Sequence, residues 1–223
     1  MFSKELGAKL DRYHLLKHPF YQKYWNEGKL TREIIKDYAE QYYQHVKAFP
    51  RYISATHSIC EDLDKRRILL ENLQDEENKD GDHPKLWKNF AKALGADEKE
   101  IENVKLDWFT KDMIDNFFSQ ARKSYAEGLA SLYTYERQIP EIAETKIQGL
   151  KKFYGVNSKE GLEFFEAHKS ADVIHRAECE KLLDSLTKEE QVKAEEASVL
   201  TARYLWNFLS GMTSKHKLQS IAA

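Results

Sequence analysis

Residues 163–183 read EFFEAHKSADVIHRAECEKLL, and this stretch places a polar stripe on an otherwise helical pattern. Its apolar residues recur at helical spacing with few helix breakers nearby, which predicts one long helix over about 159–184. At about 100° per residue, His168, Asp172 and His175 fall within an arc of roughly 60° on one face. Facing helices can complete such a set of two imidazoles and a carboxylate into a metal site. A solvated polar face is the alternative, and the stretch alone leaves both open.

The composition is that of a mostly helical protein in one domain. The 223 residues include only 9 Gly and 4 Pro, and the chain is long enough for a substantial core. A net charge of −2, without a basic patch interleaved with aromatics, argues against nucleic-acid binding. The N-terminus lacks an apolar signal region, and no run reaches the length of a membrane span. We therefore expect a cytoplasmic protein without membrane contact, unless it is exported by a route that leaves no such signal.

Helix signals recur along the chain, and strand alternation is not seen. We predict an all-α bundle of seven to nine helices over residues 1–212, with a disordered tail at 213–223. Thr31 is a predicted N-cap, and the run Thr187-Lys-Glu-Glu190 fits a capping box for the last helix. Residues from 111 to about 138 are predicted as one long helix.

Two further places offer the oxygen and nitrogen ligands that Fe(II) and Mn(II) favour. Glu76 and His83 are seven residues apart, which would place them on one helix face. Gly81 and the proline after His83 argue against a continuous helix, so a helix end with solvated acids is the alternative. Glu136 lies within an aromatic helix face, where a carboxylate needs a metal or a basic partner.

Several long blocks together carry a resemblance to a known family: YYQHVKAFPRYISATHS (42–58), LLENLQDEEN (69–78), LYTYERQIPEIAETKI (132–147) and AHKSADVIH (167–175). The chain resembles the heme-oxygenase-like di-metal oxidases, which are akin to the TenA and PQQ-synthase C (PqqC) proteins. Within them it is similar to the group of the Chlamydia protein associating with death domains (CADD). One extra residue around 23–28 and a different loop before His83 set this sequence apart, and neither removes a ligand.

The resemblance implies a helical bundle that holds two divalent metal ions (Fe/Fe or Mn/Fe), with O₂ as co-substrate. The ligands that it implies are Glu76, His83, Glu136, His168, Asp172 and His175. The choice of Glu76 over the adjoining Glu77 rests on this alignment. A homodimer is a further expectation by analogy with the family.

The activity implied by the resemblance is an oxidase reaction that forms para-aminobenzoate for folate synthesis from the protein's own tyrosine. It assigns Tyr21 as the sacrificed side chain, Tyr135 as a second redox-active tyrosine and Lys146 as amino donor. Taken without the resemblance, Tyr21 could be a core residue, Tyr135 could hydrogen-bond a metal ligand and Lys146 could lie on the surface. Two other functions stay open, namely a PqqC-like oxidase of an external small molecule and an interaction protein for host death domains.

The remaining cysteines and histidines are predicted to have no chemical role. Cys60 and Cys179 are expected to be reduced and to pack as small apolar side chains. His45 and His57 are expected to be hydrogen-bonded structural histidines, whereas His14, His18 and His216 are expected at the surface.

Overall fold

A computed structural model of the chain describes residues 1–79 and 81–220, except for the side chains of residues 170–173 and 220. Within these residues every regular element of secondary structure is a helix, which confirms the all-α prediction. The helices are α1 (Phe2–Leu10), α2 (Arg32–Ser58), α3 (Leu63–Glu76), α4 (His83–Ala93), α5 (Glu98–Asn103), α6 (Trp108–Lys123), α7 (Tyr125–Glu136), α8 (Ile139–Phe153), α9 (Lys159–Asp184) and α10 (Lys188–Lys215). A π-helical segment, Phe20–Trp25, lies between α1 and α2. In the described residues, every α-helix except the six-residue α5 is at least nine residues long.

The ends of the helices follow the capping signals in the sequence. The Thr31 side chain accepts a hydrogen bond from the backbone N–H of Ile34 at the start of α2. Thr187 and Glu190 form the complete capping box of α10. Helix α9 has the bounds that its apolar periodicity predicts. Because each cap satisfies backbone donors with side chains nearby in the chain, these boundaries can be predicted from the sequence.

One predicted helix is divided in the structure, whereas α2 continues through Pro50 to Ser58 as one element. The predicted single helix over 111–138 is wrong, because Ser124 has an extended backbone with φ −157° and ψ 162° and separates α6 from α7. The Ser124 hydroxyl accepts a hydrogen bond from the backbone N–H of Glu127 and so caps α7. Apolar periodicity continues across this break, so the sequence pattern does not reveal it.

The C-terminal residues are folded further than the sequence predicts. Helix α10 extends to Lys215, whose ammonium group donates a hydrogen bond to Asp37 at 2.8 Å. Leu218 is fully buried in the main core. The predicted disordered tail is therefore wrong for residues 213–220, since tertiary contacts that no local pattern shows hold them. Residues 221–223 lie outside the described residues.

The core between these helices is unusually aromatic. Its largest fully buried side chains include Trp25, Trp87, Tyr21, Tyr38 and Tyr52. Helices α2, α4, α8 and α9 pack around one part of this core. None of the helices in the described part of the chain is both long and apolar enough to cross a bilayer.

Candidate metal centre and tyrosine cavity

Three buried ligand-type side chains from three helices meet in the bundle. Glu76 ends α3, His83 begins α4 and His168 lies within α9. Their candidate ligand atoms all lie within 4.8 Å of one another, and the residues are only 3%, 6% and 3% exposed. The two imidazole ring centroids are 4.2 Å apart, and His83 Nδ1 lies 2.9 Å from Glu76 Oε2. This arrangement brings together three of the six predicted metal ligands.

The turn between α3 and α4 explains how Glu76 and His83 come together. The Asp82 side chain accepts a hydrogen bond from the backbone N–H of Lys85 and caps α4, with proline in its first turn. The sequence argument against a continuous helix at Gly81 is confirmed. The alternative that it favoured, a helix end with solvated acids, is wrong for Glu76, because the turn returns His83 to the buried end of α3.

His168 is held in one tautomer. Its Nδ1 lies 2.7 Å from the carbonyl oxygen of Phe164, one turn earlier in α9. A carbonyl only accepts, so Nδ1 carries the proton and Nε2 presents a lone pair. Burial, and next the neighbouring His83, lowers the pKa of His168 well below its usual value. A neutral imidazole with a free lone pair is the form that binds a metal ion.

Glu136, at the end of α7, is buried and held by hydrogen bonds on both carboxylate oxygens. The amide of Asn72 donates to Oε1 at 2.7 Å, and the thiol of Cys179 donates to Oε2 at 3.4 Å. Cys179 was predicted to act only as a small core residue, yet it contacts a predicted metal ligand. Because Asn72 lies one turn before Glu76, the carboxylate of Glu136 is tied to the helix that carries Glu76.

His175 is also buried and tied to α3. Its Nε2 lies 3.1 Å from Oδ2 of Asp75, the residue before Glu76. Asp172, the remaining predicted ligand, belongs to α9, but its side chain lies outside the described residues.

The donor set fits a divalent metal site. The described side chains supply two carboxylates and three imidazoles, all buried: Glu76, Glu136, His83, His168 and His175. Oxygen and nitrogen donors of this kind suit iron, manganese and similar ions. The close approach of three ligand atoms within 4.8 Å is compatible with one coordination sphere, and the contacts of Glu136 and His175 with α3 place two further donors on neighbouring elements.

A small closed cavity adjoins this cluster. Its polar lining consists of four tyrosines, a lysine, a tryptophan and a histidine: Tyr21, Tyr38, Tyr42, Tyr135, Lys146, Trp87 and His168. Its volume is about 20 Å³, which is room for about one water molecule. Since His168 belongs to both the cavity wall and the metal cluster, the two sites are contiguous.

Tyr21, Tyr38 and Lys146 form one hydrogen-bonded chain along the cavity wall. Lys146 donates to the Tyr38 hydroxyl at 2.7 Å, and the Tyr38 side chain is hydrogen-bonded to Tyr21. Burial raises the pKa of the Tyr21 phenol, so that it is protonated. Tyr21 and Lys146, which the resemblance assigns, are therefore linked through Tyr38.

Lys146 is only 4% exposed, which excludes the alternative of a surface lysine. Its ammonium nitrogen lies 4.8 Å from the ring centroid of Tyr38 and 5.0 Å from that of Trp87. Burial lowers the pKa of Lys146 to about 7. The side chain therefore provides an uncharged amine in a substantial fraction of molecules near neutral pH.

Tyr135 lies between the cavity and the metal cluster. It precedes Glu136 in the chain, and its side chain is hydrogen-bonded to Tyr42. The ring of His45 packs against it with centroids 5.0 Å apart. His45 is fully buried, and burial lowers its pKa to about 3. It is a buried structural residue as predicted, but the prediction that it is hydrogen-bonded is wrong, because neither ring nitrogen has a hydrogen-bond partner among the described residues.

The prediction that His18 lies at the surface is wrong. It is buried, its Nδ1 accepts from the backbone N–H of Phe20, and its Nε2 lies 3.0 Å from the Ser210 hydroxyl. Because Nδ1 accepts, Nε2 carries the proton of the neutral ring and donates to Ser210. His18 thereby fixes the start of the π-helical segment that carries Tyr21.

Sequence reasoning missed Asn72, Asp75 and Tyr38. The sequence carried a usable signal for the first two. Asn72 and Asp75 lie four residues and one residue before Glu76, so helix geometry alone places them near it. Tyr38 precedes Tyr42 by one helical turn on the aromatic face of α2, but nothing local marks it as a partner of Lys146.

Comparisons with known proteins identify the family of the chain. The chain matches the TENA/THI-4/PQQC family over residues 4–215. It is 42% identical over 209 residues to the 4-aminobenzoate synthase of Chlamydia muridarum, covering 93% of this chain and 88% of that protein. It is 39% identical over 225 residues to the 4-aminobenzoate synthase of Nitrosomonas europaea, covering 95% and 90%.

Solved structures show the same fold at low identity. A TenA homologue from Pseudomonas syringae superimposes with a TM-score of 0.82 at 17% identity, covering 96% of this chain and 93% of that one. A Shewanella denitrificans domain with a heme oxygenase-like fold has a TM-score of 0.80 at 16% identity, covering 99% and 94%. The predicted heme-oxygenase-like fold is confirmed.

The similarity to curated enzymes extends over nearly the whole chain, and the buried site geometry lies inside the matched region. The chain is therefore an enzyme. It belongs to the TENA/THI-4/PQQC family, in the CADD-like group that contains the 4-aminobenzoate synthases.

Proposed function

We propose that the chain is a metal-dependent, O₂-consuming oxidase that forms 4-aminobenzoate for folate synthesis and takes the aromatic ring from its own Tyr21. The names of the relatives support the product. The observation that carries the proposal is the chain of hydrogen bonds from Tyr21 through Tyr38 to Lys146, closed inside a cavity that shares His168 with the metal cluster.

The size of the cavity favours an internal ring over an external one. An engineered cavity that binds benzene measures about 150 Å³, whereas this cavity measures about 20 Å³. A free tyrosine or a larger PqqC-type substrate would require the wall to open. Tyr21, by contrast, already forms part of the wall, with its ring against that of Phe20 and its hydroxyl on Tyr38. The geometry thus disfavours the alternative of an oxidase for an external small molecule.

The structures of tyrosine and the product define what must change. 4-Aminobenzoate carries a carboxyl carbon para to its nitrogen, and Tyr21 carries Cβ para to its hydroxyl. Its formation from Tyr21 breaks the Cα–Cβ bond, which leaves glycine at residue 21, and oxidises Cβ to a carboxylate with O₂ as oxidant. An amine nitrogen replaces the phenolic oxygen, which leaves as water, and oxidation by O₂ leaves the carbon that donated the nitrogen as an aldehyde. Lys146 supplies that nitrogen in this proposal, because its amine is the one joined to Tyr21 through a single side chain.

The chain's own groups have distinct roles in the proposal. Two divalent ions would be held by Glu76, His83, Glu136, His168 and His175, with Asp172 as the sixth ligand implied by the resemblance. Bound iron or manganese would supply O₂ activation. Tyr135 passes electrons between the cavity and the cluster, and Tyr38 aligns the amine with the phenol. The closed aromatic wall excludes water from the reacting groups.

The test uses the full chain loaded anaerobically with Fe(II) or with Mn(II) and Fe(II), then exposed to air. We expect 4-aminobenzoate at no more than one equivalent per chain, loss of the hydroxybenzyl group from residue 21, and loss of the ε-nitrogen from Lys146 by peptide mass analysis. Protein labelled with ¹⁵N in lysine should yield ¹⁵N-labelled product.

Matched variants make the test specific. Tyr21→Phe should abolish the product, whereas Tyr24→Phe, on the same π-helical segment, should retain it. Several equivalents of product from added tyrosine, with residue 21 intact, would instead favour the external substrate. Binding to host death domains and a homodimer stay predictions of the resemblance.

A further inference from the structure

We propose that Asp75 and Asn72 are positioning residues for the metal ligands, and that the last turn of α3 aligns the ligands from the other helices. This inference rests on the proposed metal site and deepens it. The supporting observation is that side chains of one turn of α3 contact ligand-type side chains on α4, α7 and α9.

The spacing on α3 makes these contacts possible. Residues 72, 75 and 76 are related by i, i+3 and i+4, so Asn72, Asp75 and Glu76 share one face of the helix. Glu76 meets His83 on α4 at 2.9 Å. The other two reach across to α7 and α9, and each contacts a different predicted ligand there.

Asp75 fixes the imidazole of His175. Its Oδ2 lies 3.1 Å from Nε2, and a carboxylate accepts, so Nε2–H is the donor and Nδ1 presents the lone pair. Metal-binding histidines commonly donate their second N–H to a carboxylate in this way. The carboxylate is on the solvent side, with a 57% exposed side chain against 5% for His175. Because Asp75 is partly exposed to water, its hydrogen bond to the neutral imidazole contributes only a modest net stability, about 0.5 to 1.5 kcal/mol, so folding alone gives a weak reason for the contact.

Asn72 fixes the carboxylate of Glu136 from the interior. It is almost fully buried, and its Nδ2 donates to Oε1 at 2.7 Å. A neutral donor holds the orientation of the carboxylate without neutralising its charge, which a lysine or arginine in the same place would do.

The direct test is metal binding to the full-length, metal-free protein. We expect Asp75→Ala to weaken one of two Mn(II) sites by about 10- to 100-fold, measured by titration with electron paramagnetic resonance of free Mn(II), while the other site changes little. Asp75→Asn should retain most of the affinity, because its Oδ1 still accepts from Nε2–H. Glu71→Ala removes an exposed carboxylate one turn earlier on the same helix and should have no effect.

A spectroscopic readout separates positioning from a general loss of structure. In Zn(II)-loaded protein with ¹⁵N-labelled histidine, His175 should show the Nε2–H tautomer in the wild type and lose it in Asp75→Ala. The resonance is assigned with His175→Gln. Asn72→Leu should weaken Mn(II) binding independently of that tautomer.

The outcomes distinguish the two proposals. A wild-type protein that binds no Mn(II) or Zn(II) overturns the metal site, and this inference with it. A wild type that binds two ions, with an Asp75→Ala variant that binds both equally tightly and keeps the tautomer, overturns only the role of Asp75. An equal loss of affinity in Asp75→Asn and Asp75→Ala would also contradict the hydrogen-bond argument.

Discussion

Replacement of Lys146 by methionine should stabilise the folded protein while it abolishes 4-aminobenzoate formation. Lys146 is enclosed by aromatic rings, and burial lowers its pKa from 10.5 to about 7. Methionine has a similar length and no charge to desolvate, so it fits the same space without this cost. The change removes the proposed nitrogen donor at the same time.

The magnitude follows from the two pKa values. In the unfolded chain the amine holds its proton up to pH 10.5, and in the folded protein only up to about pH 7. Between these values the unfolded state binds one more proton, so the free energy of unfolding of the wild type rises with pH. At and below pH 7 the cost of the buried lysine reaches its full value of about 5 kcal/mol. Methionine also loses the hydrogen bond to Tyr38, worth about 1 kcal/mol.

We therefore expect Lys146→Met to be more stable than the wild type by roughly 3 to 4 kcal/mol at pH 6, with the advantage falling towards zero or below as pH approaches 10. The assay is urea unfolding of the metal-free proteins, followed by circular dichroism at several pH values. Lys151→Met, an exposed lysine on the same helix, is the control and should show little change and little pH dependence. A Lys146→Met protein that is less stable than the wild type at pH 6 would refute the conclusion that burial of the Lys146 amine lowers its pKa and costs stability.

Three other substitutions test separate parts of the structure. Tyr38→Phe keeps the ring but removes the hydroxyl that Lys146 contacts, so product yield per folded chain should fall at least about tenfold by mass spectrometry, with a loss of about 1–3 kcal/mol of stability from the unpaired amine; a wild-type yield would contradict the aligned chain. Gly149→Ala would place a methyl group against the indole of Trp25; we expect a loss of about 1–3 kcal/mol in urea unfolding, and a neutral effect would mean that the indole moves freely. Leu218→Ala should cost about 2–4 kcal/mol in the same assay, whereas no change would show that the C-terminal residues do not contribute to the core.

The fold could be predicted from the sequence wherever interactions between residues close in the chain determine it. The capping box at Thr187 and the apolar periodicity of α9 are both local features of the sequence. The helix bounds predicted from them are confirmed. The break at Ser124 was missed because a single capping hydroxyl interrupts a pattern that is apolar on both sides. The burial of Leu218 depends on helices distant in the chain, and one leucine in a polar segment gives no local signal of it.

The candidate site could be predicted only in part, because it also depends on contacts between residues distant in the chain. The stripe on α9 follows from helix geometry, but the proximity of Glu76 and His83 arises from a turn whose outcome the spacing alone does not determine. Lys146 is the clearest case, because a lysine in an amphipathic helix normally lies in solvent. Its burial beside Tyr38 contradicts the local pattern.

Such contradictions are expected at a reactive site, because stability alone would favour an apolar side chain there. The argument applies to the tyrosines as well as to the lysine. Tyr21 and Tyr38 have hydroxyls in a closed cavity, and each satisfies its hydroxyl through the other or through Lys146. Loss of any one of the three leaves a buried polar group with fewer partners, so their effects on structure should be coupled. Stability measurements on Tyr38→Phe, Lys146→Met and the double variant therefore bear on the chemistry. Additive effects would mean that Tyr38 and Lys146 act separately, whereas a coupling energy of about 1 kcal/mol or more would mean that they belong to one network.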